Sequence, residues 1–423
     1  LGKQYDLMAL SWPAVPDKNI AAGAGAAGLV VEFKGNTTTL PLISTIELPI
    51  IGTTYQMADP AMLQEELNDV VEKLIGINKD IGFLSGHGTH ALMPDRMAMM
   101  QGRSGGGMQS LNTLVSSRYS IKPIDIKTDA IPDGLSCLVI PRPTQKFTDY
   151  ELFQIDQALM KGTSIAFISD SFNEFLPQQQ AAMGMPPQYI PIDTGLEKLL
   201  NHYGVAIKDA YVLDKQCYKQ QAPANMGGGE HNIYFAPLLK EKTINNSPEF
   251  MHNIKGLVAM QISPVELIQD NIDKEKVKAT RLMSSSNESW LMEDRINLNP
   301  MFLSPPEADA ELQSYDLAYL LEGTFTSFFK GKDIPKKEAG KEETPGDGAA
   351  TTAGPENEKK TLEGVAVQNV ILETSKPAKL FILPCSAMLQ DNMLDPEGRS
   401  TNATFLLNTI DYLNGDDKVA ALR

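Results

Sequence analysis

Residues 135–170, LSCLVIPRPTQKFTDYELFQIDQALMKGTSIAFISD, predict a strand, a helix and a second strand in immediate succession. The two flanking segments are nearly continuous apolar runs, which is typical of strands that are buried on both faces. Between them, Thr148 can cap a helix that has Glu151 three residues further on and Gly162 at its end. Such a unit predicts a parallel sheet covered by helices.

The segments on either side extend this pattern. Further buried strands are predicted at IGFLSG (81–86) and AKLFILPC (378–385), and another strand is predicted at IKPIDI (121–126). MQSLNTLVSSR (108–118) and TNATFLLNTIDYLNG (401–415) have the spacing of amphipathic helices. We therefore predict an α/β fold with a mostly parallel sheet and helices on both of its faces.

Composition divides the chain into three kinds of segment. Residues 1–60 are rich in loops and short strands and predict a partial N-terminal domain, a smaller α+β part of the fold. Residues 331–360 contain Ile334 as their one large aliphatic residue and no aromatic residue, which predicts a disordered linker. Because strand and helix patterns occur on both sides of it, 61–330 and 361–423 are expected to form one α/β domain.

Charge excludes some partners. The 37 Lys and Arg residues are outnumbered by 53 Asp and Glu residues, which gives a net charge of −16. Nucleic acids and anionic membrane surfaces need a basic footprint, which this chain lacks. The three cysteines, Cys137, Cys217 and Cys385, are too few and too far apart for a disulfide framework and leave the compartment open.

The ends of the chain suggest a protein anchored elsewhere. The first residue is Leu1, no run of 18 apolar residues occurs, and the chain ends in DDKVAALR. We expect a segment cut from a longer protein, with any membrane anchor outside it.

Two glycine-rich motifs resemble nucleotide-binding loops without completing them. Gly86-x-Gly88-x-x-Ala91 follows a predicted strand, as in a relaxed dinucleotide fingerprint, but no helix begins directly after it. GRSGGGM (102–108) has the glycine spacing of a phosphate loop, but Met108 and Gln109 stand where Lys and Ser or Thr are required. The chain is therefore not a P-loop ATPase, and nucleotide binding stays an alternative.

The sequence offers candidate residues for catalysis and for metal binding, but it lacks the complete motif that either would require. FISDSF (167–172) is where a strand-to-helix elbow would present a nucleophile, and Ser171 could be combined with His87 and Asp170 into a triad. The glycines that such a strained elbow requires are missing, so this is a weaker hypothesis. His87 and His90 have no third ligand nearby, and we expect no metal or cofactor.

Polar loops follow the predicted strands, and their side chains are our candidate ligand-binding residues. Ligands of open parallel sheets bind at the carboxyl ends of the strands, although surface loops are polar in any α/β protein. The loops are SGHGTH, PRPTQ, SDSFN, SSSNESW and PCSAM. The candidate residues are Ser85, Gly86, His87, Gly88, His90, Arg142, Asp170, Ser171, Ser285 and Trp290. They would suit a small polar ligand or a peptide.

The order of several segments resembles a known family. IGFLSGHGTH, the stretch 135–170, GLVAMQISPVEL, MSSSNESW, LLEGTFTSFFKGK and NATFLLNTIDYLNGDD occur in this order. Together they resemble the extracytoplasmic region of GldG-like proteins, auxiliary subunits of an uncharacterised ABC transport system that is associated in some bacteria with gliding motility. The resemblance covers about residues 25–423.

This resemblance implies a fold similar to class I glutamine amidotransferases, an anchor in the cytoplasmic membrane, and separate permease and ATPase subunits as partners. The related enzymes carry a catalytic Cys directly after the strand equivalent to TSIAFISD, where this chain has Asp170 and Ser171. We therefore expect a non-enzymatic periplasmic domain that binds a ligand or a partner protein. The alternatives are a serine hydrolase or amidotransferase-like enzyme, using Ser171 or one of Ser284–Ser286, and a nucleotide-binding domain.

Overall fold

In the computed structural model, the chain forms two compact units, residues 1–79 with 117–120, and residues 80–116 with 121–423. The described residues are 7–12, 14, 16–33, 36–40, 42–48, 52–57, 63–64, 67, 80–92, 107–177, 185–221, 228–300, 302–307, 311–337 and 371–422. Most of residues 60–78 and most of the expected linker at 331–360 lie outside them.

The described residues of the first unit form three antiparallel strand pairs. They are β1 (Met8–Trp12) with β2 (Gly23–Ala27), β3 (Leu29–Phe33) with β4 (Asn36–Leu40), and β5 (Ile43–Leu48) with β6 (Gly52–Met57). These pairs are the short strands expected in residues 1–60, with Leu29 of β3 opposite Leu40 of β4. Trp12 lies over the glycine-rich β2, where a Cβ atom at Gly23 would come within 2.7 Å of the indole ring.

The second unit holds sixteen of the described strands and six described helices. The strands are β7 (Asp80–Ser85), β8 (Ser120–Asp125), β9 (Cys137–Pro141), β10 (Ser164–Ile168), β11 (Phe172–Phe175), β12 (Gln188–Pro191), β13 (Val205–Ile207), β14 (Tyr211–Asp214), β15 (Cys217–Gln221), β16 (Glu230–Lys240), β17 (Gly256–Val258), β18 (Val265–Leu267), β19 (Lys278–Ser284), β20 (Ser289–Met292), β21 (Asp316–Gly323) and β22 (Ala378–Leu383). The helices are α1 (Gln109–Ser116), α2 (Asp149–Met160), α3 (Leu196–His202), α4 (Gln269–Glu275), α5 (Thr401–Leu413) and α6 (Asp417–Leu422).

A seven-stranded sheet in the order β19-β21-β22-β10-β9-β7-β8 forms the centre of this unit. β7, β9, β10 and β22 are parallel neighbours, with Ile165 of β10 opposite Leu138 on one side and Leu380 on the other. β21 runs antiparallel to both β22 and β19. The predicted mixed α/β fold with a mostly parallel sheet is confirmed.

Both faces of the sheet are buried, which explains why its strands are apolar without alternation. On one face, Leu152 and Leu159 of α2 pack in one core cluster with Leu138 and Phe167. On the other face, Phe381 of β22 contacts Phe405 of α5, with ring centroids 6.1 Å apart. No helix among the described residues is long and apolar enough to span a membrane.

The predicted start of α2 is confirmed in detail. Thr148 Oγ1 accepts a hydrogen bond from Glu151 N at 3.3 Å, and Glu151 Oε2 accepts one from Thr148 N at 2.7 Å. This capping box fixes the entry into the helix that follows β9. It thereby sets the position of the β9–α2 loop, which carries Arg142.

Smaller antiparallel sheets surround the large one. They are the hairpin β11–β12, the pairs β13–β18 and β14–β20, and the three-stranded sheet β15–β16–β17. The hairpin begins only four residues after β10, so the chain passes from a parallel strand into another strand. The strand-to-helix elbow considered for FISDSF is therefore wrong.

Candidate functional site

The carboxyl ends of four parallel strands place several predicted residues at one edge of the sheet. Arg142 follows β9 directly, Asp170 lies two residues beyond β10, and Ser386 lies three residues beyond β22. His90 lies in the loop that follows β7. Because parallel strands end on the same side, these loops meet at the edge where ligands of α/β proteins usually bind.

Asp170 joins three of these loops through its carboxylate. Arg142 Nε donates to Asp170 Oδ2 at 2.8 Å, and the two side chains are only 18% and 13% exposed. Ser386 donates twice to the same carboxylate, from its backbone N to Oδ1 at 2.7 Å and from Oγ to Oδ2 at 2.6 Å. Arg142 Nη2 also donates to Asn173 Oδ1 at 3.0 Å. The carboxylate therefore has most of its acceptor capacity filled by the protein itself.

The backbone at Arg142 is held in an uncommon conformation. Its φ angle is 50°, in the left-handed region that a residue with a side chain adopts at a cost. The Arg142 N–H donates to Ile168 O at 2.6 Å, which ties the end of β9 to the end of β10. The surrounding hydrogen bonds thus offset a local strain at the centre of this edge.

His90 lies within the electrostatic reach of the Arg142–Asp170 pair. Burial lowers the pKa of His90, the Arg142 charge lowers it further, and the Asp170 charge opposes both. Its Nε2 atom is buried without a hydrogen-bond partner among the described residues. The imidazole is therefore neutral near pH 7 and faces a pair that is already internally satisfied.

His87, which the sequence suggested as a ligand-binding residue, is part of the core instead. It is 1% exposed, and its ring stacks on Phe147 with centroids 4.1 Å apart. Its Nε2 lies 3.1 Å from Glu151 Oε2, while burial lowers its pKa more than Glu151 raises it. Its carbonyl oxygen accepts from the backbone N of Thr144 and Gln145, so it joins two strand-end loops.

The glycines beside His87 serve the protein's own contacts. Gly86, His87 and Gly88 all have positive φ angles, of 78°, 48° and 70°. A Cβ atom at Gly86 would lie 2.9 Å from Asp125 Oδ1, and one at Gly88 would lie 2.0 Å from Thr144 Oγ1. Both glycines, and Ser85 at the end of β7, build a tight loop in which the closest approach is intramolecular.

Ser171 is not arranged as a nucleophile. It is 4% exposed, its Oγ donates to Lys208 O at 2.9 Å, and its carbonyl oxygen accepts from Ile192 N. His87 pairs with Glu151, and Asp170 pairs with Arg142. The triad of Ser171, His87 and Asp170 is therefore wrong, because each member is bonded to a different part of the chain.

Ser285 and Trp290 also have structural contacts of their own. Ser285 Oγ accepts from Tyr315 N at 2.8 Å, and the neighbouring Ser286 Oγ donates to Asp214 Oδ1 at 2.6 Å. Trp290 packs on Tyr234 with ring centroids 5.5 Å apart, in an aromatic cluster next to β14. Neither residue makes a recorded contact with Arg142 or Asp170.

Cys385 lies beside Ser386 and brings a thiol close to Asp170. It is fully buried, and its Sγ donates to Met260 O at 3.1 Å. Burial raises its pKa, and the Asp170 charge raises it further, so the thiol stays protonated. A thiol in this state does not have the properties of a catalytic cysteine.

The start of α1 explains the second glycine-rich motif. Asp391 Oδ1 accepts from Ser110 N at 2.7 Å, and a Cβ atom at Gly107 would lie 2.7 Å from Asp391 Oδ2. The carboxylate thus occupies the helix N-terminus that a phosphate would need. Residues 102–106 lie outside the described residues.

The described residues leave a small cavity at this edge. It measures about 40 Å³ and is lined by apolar side chains together with Ser169, Asp170, Ser171, Thr194, Glu197 and Asp209. Burial raises the pKa of Asp209, and the Glu197 charge adds to this effect. Roughly three water molecules fit such a volume, whereas small-molecule sites start at roughly 300 Å³. A groove of about 600 Å³ lies between β17 and the start of α5, and none of the ten candidate residues lines it.

The structure thus pairs Arg142 with Asp170 and places His90 close by. Ser171 lines the same cavity as Asp170, but its hydroxyl is bonded to Lys208 O. The sequence did not identify Ser386, Asn173 or Glu151 as members of this edge. Ser386 and Asn173 stand in the strand-end loops PCSAM and SDSFN, which was the available signal. In the part of the chain that the structure describes, no group of three His, Cys, Asp or Glu side chains could hold a metal ion.

Comparison with known proteins identifies the family. The family model described as an ABC-type uncharacterized transport system, of auxiliary type, matches residues 78–409, so the chain belongs to this family. The resemblance found in the sequence is confirmed at this level. No curated protein matches the chain. Among solved structures, the "mmIFT52 N-terminal domain" is similar with 13% identity and a TM-score of 0.43, over 79% of this chain and 97% of that one.

Proposed function

We propose that this member of the family is a non-enzymatic extracytoplasmic domain that binds a partner protein of its ABC transport system. The proposal rests on how the protein's own side chains fill the edge of the sheet at Asp170. The position where an α/β enzyme has its pocket is filled by hydrogen bonds between the protein's own loops, and the remaining cavity is about 40 Å³. Such an edge suits a rigid support for a binding surface better than a reaction site.

The enzymatic alternative has little geometric support. A hydrolase needs a nucleophile within hydrogen-bond reach of a base. Ser171 Oγ donates to Lys208 O, Ser285 Oγ accepts from Tyr315 N, and the buried Cys385 thiol donates to Met260 O. The hydroxyls of Ser286 and Ser386 donate to Asp214 and Asp170, but each carboxylate also accepts from the backbone N of the same serine and so closes a local turn or loop contact. The nucleotide-binding alternative is disfavoured in the same way, since Asp391 caps the start of α1 and Thr144 closes the space beside Gly88.

Partners are proposed from the family. An auxiliary protein of an ABC transport system is expected to associate with the permease and ATPase subunits of that system. The test is isolation of the affinity-tagged, full-length protein from detergent-solubilised membranes, followed by mass spectrometry. Both subunits should co-isolate in stoichiometric amounts from wild-type cells and be absent from an untagged strain. Isolation of the protein without either subunit would overturn the proposal.

Location outside the cytoplasm can be tested separately. All three native cysteines are buried, so a cysteine introduced at the exposed Lys274 would be the reactive one. In spheroplasts, a membrane-impermeant maleimide should label Lys274→Cys before lysis. Labelling that requires lysis would place the domain in the cytoplasm.

A further inference from the structure

The β11–β12 hairpin exposes large apolar side chains. Phe175 is 50% exposed, Leu176 38%, Met185 48% and Ile190 49%. These are four of the nine large apolar residues that are exposed in the part of the chain that the structure describes. Phe175 and Ile190 lie in the two strands, and Leu176 and Met185 lie in the segment that joins them. Isolated exposed apolar residues are common, but a contiguous exposed apolar patch marks an interaction site.

The strand register shows that the exposure has a definite direction. Asn173 lies opposite Ile190, and Phe175 lies opposite Gln188, so these four residues share one face of the hairpin. Phe172 and Tyr189 belong to the other face, which packs on Tyr211. The face turned away from the core would be polar in a hairpin that meets only water. Here it carries Phe175 and Ile190.

The apolar face is attached to the rigid edge of the sheet. Asn173, on the same face as Phe175, accepts the hydrogen bond from Arg142 Nη2 at 3.0 Å. Through Arg142, the base of the hairpin is connected to Asp170 and Ser386. The network at the strand ends therefore holds this face in a fixed orientation.

Charge limits what can cover the face. Residues 175–192 contain no Asp, Glu, Lys, Arg or His, in a chain of net charge −16. Glu174, the one charged residue of β11 and β12, lies opposite Tyr189 on the other face. An anionic bilayer would be repelled by the chain as a whole, and so would a second copy of it. A partner surface with an uncharged apolar centre would complement the hairpin face. Basic residues around that centre would complement the acidic chain.

Area also argues against a second copy. Half-exposed side chains of this size present on the order of 100 Å² each. The exposed apolar residues Phe175, Leu176, Met185 and Ile190 therefore offer roughly 350 Å² together. Two copies would bury roughly 700 Å² of this surface, less than the roughly 1,200 Å² of a standard stable interface. A larger partner can add polar area around the same apolar centre.

We propose that the β11–β12 hairpin is the docking surface for the permease of the transport system, which presents an uncharged apolar patch flanked by basic residues on the extracytoplasmic side of the membrane. This inference rests on the proposed function and adds the surface and the chemistry of the partner. Phe175 and Ile190 form the centre of the contact.

Site-specific photo-crosslinking tests the proposal in the full-length protein. A benzophenone amino acid is placed at Phe175, at Ile190 or, as the matched control, at Phe302, which is 75% exposed outside the hairpin. Irradiation of membranes should yield crosslinks to the permease from positions 175 and 190, at least tenfold above position 302. Crosslinks to lipid, to a second copy of the chain, or equally from position 302 would each overturn the proposal.

A paired variant separates this test from that of the proposed function. Phe175→Ser combined with Ile190→Thr should reduce co-isolated subunits at least tenfold, while Phe302→Ser leaves their amount unchanged. Equal melting temperatures of the isolated variants show that folding is intact. If the wild-type protein co-isolates the subunits and the paired variant does so equally, the docking surface is wrong and the proposed function stands. If the wild-type protein co-isolates neither subunit, the proposed function itself fails.

Discussion

Replacing Asp170 with Ala should destabilise the second unit more than any other single change at the strand ends. The substitution removes the acceptor of Arg142 Nε, Ser386 N and Ser386 Oγ, and Ser386 is only 1% exposed. Truncating one partner of a largely buried ion pair costs about 3–5 kcal/mol, because the remaining charge is left without compensation. Charge-assisted hydrogen bonds to a serine hydroxyl and an amide fall in the same range when taken together. We expect a loss of about 4 kcal/mol in the free energy of unfolding.

The assay is urea denaturation followed by tryptophan fluorescence and circular dichroism, with thermal melting as a second measure. At roughly 2 °C per kcal/mol for a unit of this size, the melting temperature should fall by about 8 °C. Ser386→Ala keeps the Arg142 pair and should cost about 1 kcal/mol. Asp193→Ala removes the exposed ion pair with Lys146 and should change neither measure. A loss below about 1 kcal/mol for Asp170→Ala would show that the carboxylate does not hold these loops together.

Three further changes follow from the same structure. Gly88→Val should cost at least about 2 kcal/mol, because its φ angle of 70° is strained for a branched residue and Thr144 Oγ1 occupies the space of the Cβ atom. Gly134 also has a positive φ angle, but a Cβ atom there would have nothing within 4 Å. Equal melting temperatures for Gly88→Val and Gly134→Val would therefore refute the contact with Thr144. Deletion of residues 338–360 should leave the melting temperature unchanged, since an antiparallel bridge joins the chain on either side of the deletion; a loss above about 1 kcal/mol would contradict the linker predicted from composition. Burial lowers the pKa of His87 below that of the unfolded chain, about 6.5, so the unfolded state binds the proton better and stability should fall as the pH drops from about 6.5 towards the folded pKa. The urea midpoint at pH 8 and pH 5.5 measures this loss, and a His87→Asn variant with the same pH dependence would refute its assignment to His87.

The sheet could be predicted from the sequence because its strands and helices carry strong local signals. β9, α2 and β10 combine uninterrupted apolar runs with a complete capping box, and each signal concerns neighbours along the chain. The antiparallel pairing of β21 between β22 and β19 could not be predicted, since 54 residues separate Gly323 from Ala378 and no local pattern fixes which strands meet.

The site was harder to predict because it depends on which way polar side chains turn. His87 and His90 are three residues apart, yet one ring is buried against Phe147 and the other lies near Arg142. Ser386 follows a strand whose position beside β10 is known only from the fold. Arg142 and Asp170 were predicted in loops at the ends of neighbouring parallel strands, where the structure places them, but their mutual pairing is a tertiary contact.

Buried polar residues on α2 show the same limit. Asp156 is fully buried and accepts from Tyr203 Oη at 2.6 Å, Ser327 Oγ at 2.6 Å and Phe328 N at 2.8 Å. From the sequence alone, the pattern indicates that Asp156 is a polar residue on the solvent-facing side of an amphipathic helix. Its role as an anchor for the 326–329 loop becomes visible only in the folded structure.

Under the proposed function, the edge at Asp170 supports binding and does no covalent chemistry. Intact-mass spectrometry of the folded chain tests it most directly, after incubation with a fluorophosphonate and, separately, with a chloroketone analogue of glutamine. We predict an unchanged mass in both cases, because Ser171 Oγ and the Cys385 thiol are buried and donate to backbone carbonyl groups. A stoichiometric adduct on the folded chain that disappears in Ser171→Ala or Cys385→Ala would contradict the claim.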